Sequence, residues 1–63
     1  MRDPNRISDF CNRLAAAWGK LPDWRFFQLI TNLPFERDPF YMEDDEAIEF
    51  IEAAVEKWTE GQN

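Results

Sequence analysis

The chain predicts an all-α fold, a compact three-helix domain with helices at about 4–19, 24–33 and 44–60 and an aromatic, proline-containing loop before the last. Three observations carry this. Apolar residues recur at three- and four-residue steps in the first and last thirds of the chain, the spacing that gathers them on one side of a helix. Pro22 and Pro34 bracket a middle segment rich in large apolar residues, and proline stops a helix that approaches it. The one stretch suited to an extended backbone, Phe40-Tyr41, has no second strand with which to form a sheet.

Helix 1 opens at Asp3-Pro4, an acceptor for the first free N–H groups followed by a residue whose missing N–H costs nothing at the first helical position. Its apolar stripe is Ile7, Phe10, Cys11, Leu14, Ala17, Trp18 and Leu21. Arg6, Asp9, Asn12, Arg13 and Ala16 face away, with Arg13 four residues after Asp9 as a weak pair. Gly19 closes the helix, and Pro22 prevents its continuation. The connection is short, so helices 1 and 2 must be neighbours.

Asp23 is the expected N-cap of helix 2, in which Phe26, Leu29, Ile30 and Leu33 share one face opposite Arg25, Gln28, Thr31 and Asn32. On that wheel Trp24 projects into the polar side and Phe27 lies at its margin. Pro34 to Met42 should be an ordered loop whose Phe35, Phe40, Tyr41 and Met42 fold back over the helix pair, with Arg37 and Asp38 in water. Glu43-Asp44-Asp45-Glu46 then opens helix 3, where acids favour the positive end of the helix dipole. Ala47, Ile48, Ile51, Ala54, Val55 and Trp58 form its apolar face, Phe50 stands at the edge, and Gly61 ends it. The expected core is Ile7, Phe10, Leu14, Trp18, Phe26, Leu29, Ile30, Leu33, Ile48, Ile51, Val55 and Trp58.

Residues 1–63 make one small helical domain, near the lower size limit for a chain that folds without staples. A single cysteine allows no internal disulfide, and with no histidine the usual zinc sets are missing. Stability must come from packing, to which three Trp, six Phe and one Tyr contribute. No run approaches the roughly 18 apolar residues of a membrane span, and Met1-Arg2-Asp3-Pro4 lacks an apolar signal region. The expected location is cytoplasmic, with no membrane partner.

The net charge of −6 conceals a polarity. Residues 1–35 carry five bases against three acids, and residues 36–63 carry two bases against ten acids. An acidic C-terminal half opposes direct nucleic-acid binding and suits a protein partner with a basic surface.

Catalysis has little to build on. The only cysteine lies on an apolar stripe, the only serine has no glycine elbow, and no histidine can serve as base. Glu43-Asp44-Asp45-Glu46 lacks the alternating ligands and glycine of a calcium loop and reads as a capping turn. No cofactor or metal is expected. The outer face of helix 3 is more informative, because Glu49, Glu52, Glu56 and Glu60 fall within an arc of about 80°. They span about 16 Å at a rise of 1.5 Å per residue, one charge per roughly 5 Å, of the order of the phosphate spacing along a DNA strand. Only Lys57 stands near enough on the same helix to relieve their repulsion. Glu43, Asp44, Asp45 and Glu46 extend this surface, while Trp24 and Phe27 would add an apolar contact beside Arg25 if the other helices leave them uncovered.

Several stretches together resemble a family: Asp3-Pro4-Asn5-Arg6-Ile7, Phe10-Cys11-Asn12-Arg13-Leu14, Pro22-Asp23-Trp24-Arg25-Phe26, Arg37-Asp38-Pro39-Phe40 and Glu43-Asp44-Asp45-Glu46. The family is one of short uncharacterised proteins from Gram-positive gut bacteria and their phages, and the resemblance covers nearly the whole chain. It carries over no catalytic residue. It implies a mobile-element setting, in which very small acidic proteins act by binding and blocking host machinery. The expected function is therefore a non-catalytic acidic binding protein, a phage-borne inhibitor whose last helix mimics nucleic acid against a basic surface of a bacterial defence protein. Two alternatives stand beside it. One is a homodimeric structural or regulatory module joined through the helix 2 aromatics, and the other a helix-turn-helix DNA-binding module using Arg2, Arg6, Arg13, Lys20 and Arg25.

Overall fold

The computed structural model describes residues 2–60. It contains three α-helices, α1 (Asn5–Trp18), α2 (Phe26–Thr31) and α3 (Asp44–Glu60), with a 3-10 turn at Pro39–Tyr41. The chain is all-helical among the described residues, and the proline-containing aromatic loop precedes the last helix.

Ion pairs reveal the helix directions. Arg2 meets Glu43, Arg6 meets Asp44 and Arg13 meets Glu52, at sequence separations of 41, 38 and 39. A nearly constant separation along two helices means that they run parallel, so α2 and its loop must lead the chain back. Trp18 at the end of α1 touches Phe26 with ring centroids 5.7 Å apart. Trp24 lies 5.0 Å from Trp58 near the end of α3, and Phe35 stacks 5.2 Å from Phe50 midway along it. The architecture is thus an up-down-up bundle with an abbreviated middle helix of 6 residues against 14 and 17 in its neighbours.

Local chemistry explains the abbreviation. Arg25 is extended, at φ −75° and ψ 155°, so the helix begins one residue later. Asp23 is consequently not its N-cap; the Gln28 Oε1 instead accepts the Arg25 N–H at 3.4 Å. At the other end Thr31 Oγ1 donates to the Phe27 carbonyl at 2.6 Å, and Asn32 Nδ2 donates to the Gln28 carbonyl at 2.7 Å. Short polar side chains that satisfy these carbonyls compete with another helical turn, and Pro34 cannot donate to one. Helix 1 starts one residue later than expected, at Asn5 with Pro4 as N-cap; the Asp3 carboxylate accepts the Asn5 N–H at 2.9 Å, and Gly19 follows the last residue as C-cap.

Ala17, Leu21, Leu29, Leu33, Ile51, Ala54 and Val55 form one buried cluster, against which Phe10, Leu14, Trp18, Trp24, Ile30, Phe50 and Trp58 pack. Ile48 is also buried, outside that cluster. The short middle helix explains the departures from the expected core. Trp18 is covered by the α2 side of the bundle, whereas Ile7, three turns away on the same stripe, is 53% exposed. Cys11, on the same stripe, is exposed as well. Phe26 stands at the first turn of α2 and is only partly covered by Trp18. Trp24 precedes the helix, so the helical wheel does not apply to it. Its carbonyl accepts the Trp18 indole N–H at 2.8 Å, and its ring packs on Trp58. In the loop, Met42 is half-buried and Phe35 lays one face on Phe50 while staying 37% exposed, and Phe40 and Tyr41 stand in solvent instead of folding over the helices.

Leu29 is fully buried. Its truncation to Ala should cost about 2–5 kcal/mol, a large part of the stability of so small a domain. Phe27→Ala, at an exposed position, should stay within about 0.5 kcal/mol of wild type. Urea unfolding followed by tryptophan emission tests this; similar midpoints for the two variants would refute the assignment of the core.

Candidate partner-binding surface

α3 presents one face to α1 and α2 and the other to water. Asp45, Glu49, Glu52, Glu56 and Glu60 fall within an arc of about 80° on its outer side. Asp45, Glu49, Glu56 and Glu60 are exposed and stretch over about 22 Å of helix. Glu52, at the edge nearest α1, belongs instead to the interhelical contact. Arg13 Nε donates to its Oε2 at 2.9 Å, and a second guanidinium N–H reaches Oε1. Arg6 and Arg13, read from the sequence as facing away, therefore flank the buried stripe of α1 and reach across to α3. The Asp9–Arg13 pair is superseded, because a forked guanidinium matches a carboxylate across the interface better.

The ten residues of the predicted surface divide accordingly. Glu43, Asp44 and Glu52 are engaged by Arg2, Arg6 and Arg13. Among the described residues Asp45, Glu46, Glu49, Glu56 and Glu60 form no ion pair, although the Asp45 carboxylate accepts the Glu46 N–H at 2.9 Å. Phe27 is 74% exposed and makes an edge contact with Phe26. Trp24 is half-buried between α1 and α3 and belongs to the interior. Asp45, expected to extend the surface from the capping turn, lies on the same arc as the ridge itself.

Glu52 is electrostatically distinct. The hydrogen bond from Arg13 holds its carboxyl below the ordinary value of 4.5, against the opposing effect of desolvation, with Lys20 adding to the lowering. The same bond raises the Arg13 guanidinium. Both groups remain substantially exposed, with side chains 47% and 37% accessible, so water and salt screen the pair.

A second feature was not anticipated. Pro34, Phe35, Met42, Glu46 and Phe50 line an open groove of about 620 Å³ beside the loop. It adjoins a smaller hollow at Asp38 and Tyr41, with Arg37, Met42 and Glu46 common to both. No three His, Cys, Asp or Glu side chains among the described residues converge where they could hold a metal ion. Nor is any described helix long and apolar enough to cross a membrane. No family model, curated protein or solved structure matches this chain.

The Glu52 shift has a definite sign. A carboxyl depressed on folding contributes stability that is present above its ordinary value and is lost as pH falls through the depressed one. Thermal unfolding between about pH 5 and about pH 3 should therefore show a shallower fall in Tm for Glu52→Gln than for wild type. Identical slopes would mean that the pair does not form in solution.

Proposed function

We propose that this chain is a non-catalytic acidic binding protein, and that the outer face of α3 engages a basic surface of a protein partner in the manner of a nucleic-acid strand. The observation that supports this reading is the row of exposed carboxylates at Asp45, Glu49, Glu56 and Glu60, which form no ion pair among the described residues while three arginines are taken up by other acids. Folding would normally favour pairing such charges; carboxylates aligned along about 22 Å repel one another and are relieved when a cationic partner covers them. Such a field also accelerates encounter with a basic surface and raises specificity against acidic ones. Within this reading, the resemblance to short phage and host proteins makes inhibition of a bacterial defence protein the role we assign, acting in the cytoplasm. The exposed ring of Phe27 favours a second reading, self-association through the start of α2.

Capture from bacterial lysate separates the two readings. Wild-type protein should retain a basic nucleic-acid-binding protein that is released by salt and by competing duplex DNA. The variant Asp45→Asn/Glu49→Gln/Glu56→Gln/Glu60→Gln, folded by circular dichroism, should bind it roughly tenfold more weakly. Undiminished affinity would overturn the acidic-surface reading. A concentration-dependent mass near twice 7.6 kDa, abolished by Phe27→Ala, would instead establish the dimer.

A further inference from the structure

The groove beside the loop lies where the middle helix of a regular three-helix bundle would continue. α2 stops at Thr31, and from Pro34 onward the returning chain gives the N-terminal half of α3 only partial cover. Phe35, stacked on Phe50 at 5.2 Å, makes an apolar floor, and Met42 closes one side. The space, about 620 Å³, falls in the roughly 300–1,000 Å³ range of sites that accept a ligand or an anchoring side chain.

The wall on the loop side is set in advance. Pro39 fixes the first position of the 3-10 turn, the Asp38 carboxylate accepts the Phe40 N–H at 3.0 Å, and the Pro39 carbonyl accepts the Met42 N–H at 2.9 Å. On this support the Phe40 and Tyr41 rings meet edge to face at 4.9 Å while 77% and 86% exposed. Two aromatics this exposed contribute little to the fold, and a turn whose backbone is already hydrogen-bonded presents them at lower entropic cost.

Charge selects the occupant. Glu36, Asp38 and Glu46 surround the groove against the single cation Arg37. The resulting negative rim repels phosphates and acidic peptides and attracts an ammonium or guanidinium. We propose that this groove binds a segment of a protein partner in which a large apolar side chain stands beside a lysine or arginine. The apolar side chain packs on the Phe35–Phe50 stack against Met42 and Tyr41. The cation meets Glu46 or Glu36, and Arg37 is available for a carbonyl oxygen of the segment. This rests on the partner-binding reading above and adds to it a localised anchor, separate from the outer face of α3.

The test uses defined peptides, with binding followed through the Met42 methyl and the Phe50 and Tyr41 ring signals by NMR. Acetyl-Lys-Trp-Lys-amide should shift these signals saturably and bind roughly tenfold more tightly than the Glu-Trp-Glu or Lys-Gly-Lys counterparts. Raising salt from about 50 to about 300 mM should weaken it. Glu46→Gln and Tyr41→Ala, both at exposed positions, should each weaken it severalfold, whereas the four-carboxylate ridge variant should leave it unchanged. Equal binding of Lys-Gly-Lys, shifts confined to the outer face of α3, or no saturable shift would overturn the groove. Those results leave the ridge experiment to stand or fall on its own partner.

Discussion

The arrangement of this protein follows from one constraint, the parallel register of α1 on α3. Buried alanines at Ala17 and Ala54 contribute to the cluster between the helices, and residues this small let two helix axes approach closely. A parallel pair cannot be joined by a tight turn. The twenty-five residues between Trp18 and Asp44 must descend the full length of the bundle before α3 can begin. Everything distinctive in the molecule lies in how that return is made. It starts with a turn clamped by the Trp18 indole, continues as a short helix centred on the fully buried Leu29, and finishes as a loop pinned by the Phe35–Phe50 stack.

Charge reinforces this register more than it stabilises it. The three arginine–carboxylate pairs are all more than a third exposed, and exposed pairs contribute modestly to stability. Together, however, the Arg6–Asp44 and Arg13–Glu52 pairs fix which turns of α1 and α3 lie side by side. The basic bias of the first half of the chain and the acidic bias of the second are therefore partly internal complements. The surplus is what reaches the surface: α3 has more acids than α1 has bases to meet them, and the excess falls on the side away from the bundle.

Periodicity made the helices legible because α1 and α3 are long enough for a stripe to stand out, and the buried Leu29, Leu33, Ile48, Ile51 and Val55 follow from it. What failed did so at the boundaries of α2. Extending that helix over Trp24 and Arg25 projected an interior tryptophan into the polar side, since a wheel assigns direction only to residues that are helical. Counting Ile7 and Phe26 as core assumed a middle helix longer than the six residues that form. The pairing of Arg13 with Glu52 was hidden for another reason: a wheel separates the flanks of one helix but carries no information on which neighbour they meet. The exposed outer carboxylates of α3 were visible from spacing alone, while the groove required the loop's folded course.

The same shortened return that exposes Ile7 also creates the groove, and this bears on how the surface should be understood. A chain of this size gains from covering every apolar side chain it has, and a few more helix-forming residues after Thr31 would cover more of α3. The sequence instead places Asn32 and Pro34 there, then spends Pro39 and Asp38 on a rigid turn that holds two rings outward. A local preference that opposes burial and is repeated at successive positions is difficult to attribute to weak packing alone. Under the groove proposal a partner's side chains complete the bundle, with the acidic rim excluding occupants of the wrong charge and the outer face of α3 bringing the right ones near.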